Sequence, residues 1–174
     1  MAKAPTGVAD EIALEPAPGI RIVWDQGLIE SHARGEGDDG WSLDGPIGSD
    51  VAAVRVLTAA GAEGGALLIA GVRPVGAEGH DTEHLAALLG DSDGSLQPVK
   101  ETLISTEYAT EGRIRRIGLE LYLPGEDYAL RAAGDAVGYG ESDRDGAQLS
   151  FTSLDFRLDG QRGAGRLDLL RRAS

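Results

Sequence analysis

Residues 117–123 set Ile117, Leu119, Leu121 and Leu123 on one side of the chain and Gly118, Glu120 and Tyr122 on the other. Strict alternation of this kind is the mark of a strand with one face buried. The same period of two runs through Ile20, Ile22 and Trp24 against Arg21, Val23 and Asp25. Residues 51–58 form a third strand, rich in valine. Residues 66–75 are apolar almost without a break, which is expected of a strand covered on both faces. Clusters of turn-forming residues separate these runs: 61–65, Gly90-Asp91-Ser92-Asp93-Gly94, 109–113, Pro124-Gly125-Glu126-Asp127, Asp143-Arg144-Asp145-Gly146 and 159–163. They predict hairpins joining 51–58 to 66–75, and 84–89 to 96–108. Further strands follow at 128–139, 148–158 and 164–170. The only helix candidates, 50–57 and 82–89, are short and fit strands better. Residues 1–18 hold Pro5, Pro16 and Pro18 and read as a flexible leader, pinned at most by Ile12 and Leu14; residues 19–174 then form one β-barrel domain. The expectation is an all-β, antiparallel protein of the barrel or sandwich type, with little helix.

Composition narrows the function. The chain has 174 residues, 41% of them apolar but only 5% aromatic, so the core is built from aliphatic side chains. Its net charge of −13 argues against nucleic acid, which needs a basic surface, and against anionic membranes. There are no cysteines, which excludes disulfides and thiolate chemistry and suits a cytoplasmic location. No apolar run is long enough for a membrane helix.

Candidate chemistry is sparse. His80 and His84 have a spacing that chelates a metal on a helix. His84 is predicted to open a strand, however, where residues four apart lie about 13 Å from each other, so no metal is expected. The Asp-x-Asp-Gly runs at 91–94 and 143–146 resemble the start of a calcium loop but have Thr102 and Leu154 where its last ligand belongs. They are turns. No nucleophile motif occurs and no cofactor is expected. His32, with Glu30 two residues before it, is the best candidate for acid–base work. Trp24 and Trp41 are candidates for a cavity wall, and equally for plain core.

The second half of the chain carries a resemblance. Residues 85–99, Leu-Ala-Ala-Leu-Leu-Gly-Asp-Ser-Asp-Gly-Ser-Leu-Gln-Pro-Val, resemble a strand, acidic Gly turn and returning strand of a known group. Residues 107–121, from Glu107-Tyr108 through Gly112-Arg113 to Leu121, resemble its "TEY-DEDGR-RR-LEL" run. Residues 154–167 resemble its closing hairpin. The group is the lipocalin-like one that includes the carotenoid hydratase hydroxyneurosporene synthase, with actinobacterial relatives, and the match falls on its second barrel. What the resemblance implies is a calycin-like antiparallel barrel with an apolar cavity that holds an isoprenoid or polyketide-like molecule and assists its cyclisation or hydration. The group's "RDHSWG"-like motif is absent, with only Gly40-Trp41-Ser42 similar to part of it, so no catalytic residue is carried over.

These readings give a barrel that binds a hydrophobic small molecule. Catalytic candidates are His32, Glu30, His80 and His84; ligand-binding candidates are Trp24, Trp41, Tyr122 and Tyr139. The alternative is a structural domain, one barrel of a homodimer or of a mixed assembly, with the apolar strand 66–75 at its interface. Whether the interior is hollow depends on register. Ala132, Ala133 and Gly134 would leave space, while Leu119 and Leu121 would fill it.

Overall fold

The computed structural model describes residues 11–37, 39–44, 47–77, 82–144 and 146–172. Of these, 68% are in strands and 6% in helix. Three strands, β1 (Glu11–Ala17), β2 (Ile20–Asp25) and β3 (Trp41–Asp44), form a small antiparallel sheet in that order. Between β2 and β3 lie a 3-10 turn, Gln26–Leu28, and one short helix, α1 (Ile29–Ala33). The other nine strands are β4 (Val51–Gly61), β5 (Ala66–Pro74), β6 (His84–Gly90), β7 (Leu96–Pro98), β8 (Glu101–Tyr108), β9 (Ile114–Tyr122), β10 (Ala129–Arg144), β11 (Ala147–Leu158) and β12 (Gln161–Arg172). They make one antiparallel sheet, ordered β7-β6-β5-β4-β12-β11-β10-β9-β8.

That sheet is curled into a half-barrel. A single crossing ties its two edges: the Val99 amide donates to the Ala87 carbonyl on β6, and the Lys100 amide donates to the Tyr122 carbonyl on β9. The segment 96–108, expected as one strand, is therefore two. Lys100 is where the chain leaves one edge and joins the other.

Alternation along each strand sorts residues to two faces, and both are apolar. The inner face carries Leu57, Ile69, Leu119, Leu121, Leu154 and Phe156 as one buried cluster. The outer face of β4 and β5 carries Val54, Val56, Leu68 and Ala70, packed against Ile12, Leu14, Ile22 and Trp24 of the small sheet. Strand β5 is thus covered on both faces by its own chain, as its unbroken apolar run predicted. Of the stretch 66–75 expected at a dimer interface, residues 67–72 are buried within the chain, and Arg73 and Val75 are exposed.

Two expectations need correction here. Residues 11–17, inside the segment expected to be a loose leader, are strand β1, held because Ile12 and Leu14 are buried on β5 and β6. Residues 26–33, outside the only helix candidates expected, are helical. The Asp25 carboxylate accepts from the Gly27 amide at 2.9 Å and so caps the 3-10 turn that leads into α1.

The barrel interior is packed. Ala132 and Gly134 do face inward, but the space beside Gly134 is taken by the Leu154 side chain and the Phe156 ring. A Cβ added at Gly134 or at Gly165 would stand 3.2 Å from Phe156 Cδ2. The glycines on the neighbouring strands exist to admit that ring.

Candidate functional site

Two places with chemistry stand out among the described residues, on opposite faces of the curled sheet. The first is a buried polar cluster beneath the small sheet. Arg166 and Asp168 stand at alternate positions of β12, with Leu167 between them facing the interior. Asp168 is completely buried and accepts three hydrogen bonds: from His32 Nε2 at 3.0 Å, from the Trp41 indole N–H, and from Arg166 Nε at 2.8 Å. Burial pushes the Asp168 carboxyl up. The hydrogen bond from His32 and the adjacent Arg166 charge outweigh that, and its pKa falls below the usual aspartate value. Arg166 also donates to the Gly37 carbonyl and lies 4.0 Å from the Phe151 ring centre. Nearby, the Trp24 indole donates to Thr58 Oγ1 at 2.7 Å.

This cluster fastens α1, β2 and β3 to the outer face of the barrel. His32 reaches Asp168 because Gly40 lets the start of β3 lie against the imidazole; a Cβ at that position would overlap the ring. Gly40→Ala is therefore expected to cost about 1–3 kcal/mol, as overpacking does, read as a lowered urea midpoint. His32, Arg166 and Asp168 are each at most 1% exposed, and Trp41 is 2% exposed. A substrate has no route to them.

The second place is a pocket of about 180 Å³ at one open end of the half-barrel. Its floor is apolar, from Leu167 and Leu169 of β12 and Ile114 of β9. Ser150, Thr152, Tyr108 and Tyr139 supply hydroxyls on its walls. Four arginines line it: Arg55, Arg73, Arg113 and Arg171. Arg55 is largely buried and forms a forked ion pair with Glu83, whose carboxylate occupies the space left by Gly71 opposite. The Arg113 guanidinium sits 4.4 Å from the Tyr139 ring centre. The Tyr139 hydroxyl donates to Glu141, and chiefly for that reason its pKa is raised. The phenol stays protonated, with its one proton committed to Glu141.

The residues expected from sequence divide between these places. His32, Trp41 and Trp24 belong to the buried lock rather than to a cavity mouth. Glu30 lies on the exposed side of α1 and pairs with Arg34. His84 opens β6 as expected and is exposed; His80 lies outside the described residues. Tyr122 donates to Glu120 away from the pocket. Tyr139 alone of the predicted ligand-binding residues lines the pocket. It does so because a bulge at Ala136/Gly138 adds one residue and turns Tyr139 inward, opposite Thr152.

No family model matches the chain, and no curated protein matches it. Among solved structures the chain is similar to CghA with Sch210972, at 12% identity and a TM-score of 0.58. The likeness covers 94% of this chain and 59% of that one. It defines the class at the level of fold: an all-β, lipocalin-like barrel. It does not extend to the hydroxyneurosporene synthase group. Among the described residues no helix is long and apolar enough to cross a membrane.

Proposed function

We propose that this protein is a lipocalin-like barrel that binds a small hydrophobic molecule at the open end of its curled sheet. The observation that carries this reading is the 180 Å³ pocket, with an apolar floor and hydroxyl and guanidinium groups above it. An engineered apolar cavity of about 150 Å³ takes up benzene, so this one holds a ring-sized group. The filled interior beneath it favours a compact, polyketide-like body over an extended isoprenoid chain. Any help with cyclisation or hydration comes from the groups that reach the pocket, the Tyr108 and Tyr139 phenols and the arginines. The solved structure of CghA with Sch210972 supports a small-molecule role for this fold.

The test is a titration with 2-naphthamide, a neutral ring probe, followed by its fluorescence. Saturable one-site binding is expected. Ala53 lines the pocket and is only half-buried, so Ala53→Trp fills the space from one wall. It is expected to weaken binding by at least about tenfold, the loss of most of one ring's burial, with little change in melting temperature. Absence of saturable binding, or binding indifferent to Ala53→Trp, overturns the reading.

A further inference from the structure

The chain carries a net charge of −13, yet this pocket is lined by four of its arginines and one acid, Glu83. Folding has gathered positive charge at one spot of an acidic protein, from strands far apart in sequence. The cations are not equal. Arg55 is neutralised by Glu83. Arg113 is only loosely answered by Glu111, at 3.9 Å on the exposed rim. Arg73 donates to the Ala77 carbonyl, and neither it nor Arg171 has a carboxylate partner among the described residues.

Register shows how these two relate. Ala53 of β4 pairs with Arg73 on one side and Arg171 on the other. The two arginines therefore stand in one row across the sheet, two strand spacings or about 10 Å apart, with a small residue between them. Their side chains are long enough to close on a single group over Ala53. Arg171, Arg113 and Tyr139 all line the same opening, with the Arg113 guanidinium over the Tyr139 ring. Like charges held together repel each other, and an arrangement of this sort is relieved by an anion. Guanidinium groups suit a carboxylate in particular, because their paired N–H donors match its two oxygens.

Building on the pocket reading above, we propose that the ligand is an organic acid: a carboxylate held between Arg73 and Arg171, attached to a compact apolar body that rests on Leu167 and Leu169. The Tyr139 hydroxyl and Thr152 line the same opening and favour the polar end of the molecule over its apolar end there.

The experiment compares 2-naphthoate with 2-naphthamide, which share one ring system and differ in charge. The acid is expected to bind at least about tenfold more tightly, in keeping with charge-assisted hydrogen bonds to arginine. The double variant Arg73→Gln/Arg171→Gln changes two exposed side chains. It is expected to keep the wild-type melting temperature and to abolish the acid's advantage over the amide when both are titrated against the variant. If the amide binds and the acid binds no better, the anion assignment falls while the pocket stands. If neither binds, both fall. If the acid's advantage survives in the double variant, the anion is held elsewhere and the assignment is wrong.

Discussion

Asp168→Ala lowers the stability of this protein by about 3–5 kcal/mol, the size of effect seen when one partner of a buried charge pair is removed. Three donors lose their acceptor at once: the His32 imidazole, the Trp41 indole and the Arg166 guanidinium. Arg166, almost fully buried, would lose the carboxylate that accepts from its Nε. Folded domains are stable by only about 5–15 kcal/mol, so the loss is a large fraction of the total. Urea unfolding of the variant measures it, and a cost below about 1 kcal/mol would show that the cluster does not fasten the small sheet. The same residue sets a pH dependence. Its folded pKa lies below the unfolded value of about 3.9, so its contribution is fully present above that pH. The contribution is lost as pH falls through the folded pKa. Wild-type stability should therefore drop below about pH 4, and Asp168→Ala should flatten that part of the profile.

Phe156→Ala is expected to cost about 3–5 kcal/mol, the range for emptying a buried aromatic site. Phe156 is 2% exposed, inside the barrel, and its ring fills the room left by Gly134 and Gly165. Those glycines cannot swell into the void, so the cavity should persist. A dry apolar cavity of that kind takes up small hydrocarbons. The variant is therefore expected to gain affinity for benzene, measured as a rise in melting temperature with the ligand present. A variant that loses little stability and binds no benzene would mean that the interior is already hollow, contrary to the packing described here.

Much of the fold is legible in the sequence because strand alternation and turn chemistry are local. Ile117, Leu119 and Leu121 point inward as their spacing predicts. The turn at 90–94 closes by the Gly94 amide donating to the Asp91 carbonyl. What was not legible depends on what covers what. Arg166 and Asp168 alternate with Leu167, so a period-two reading sends them to solvent. They are buried because β1–β3 and α1 lie over that face, a fact of tertiary packing with no local signal. His32 does stand out in the sequence, but its partner lies 136 residues away. The pocket was hidden for a related reason. Arg55, Arg73, Arg113 and Arg171 look like scattered surface charges until the register of β4, β5 and β12, and the turn between β8 and β9 that carries Arg113, bring them to one end. Strict alternation from Ala132 also puts Tyr139 outside; only the extra residue, Val137, turns it in.

On the function proposed, ligand chemistry belongs to the open end of the barrel, and the His32–Asp168 cluster is a structural lock. The most direct measurement is a titration of isotope-labelled protein with 2-naphthoate, followed by backbone amide and indole chemical shifts. Saturable shifts are expected, centred on Arg73, Ile114, Thr152 and Leu169, with the Trp41 indole unmoved. Shifts centred on Trp41 and His32, with the pocket residues unmoved, would contradict it.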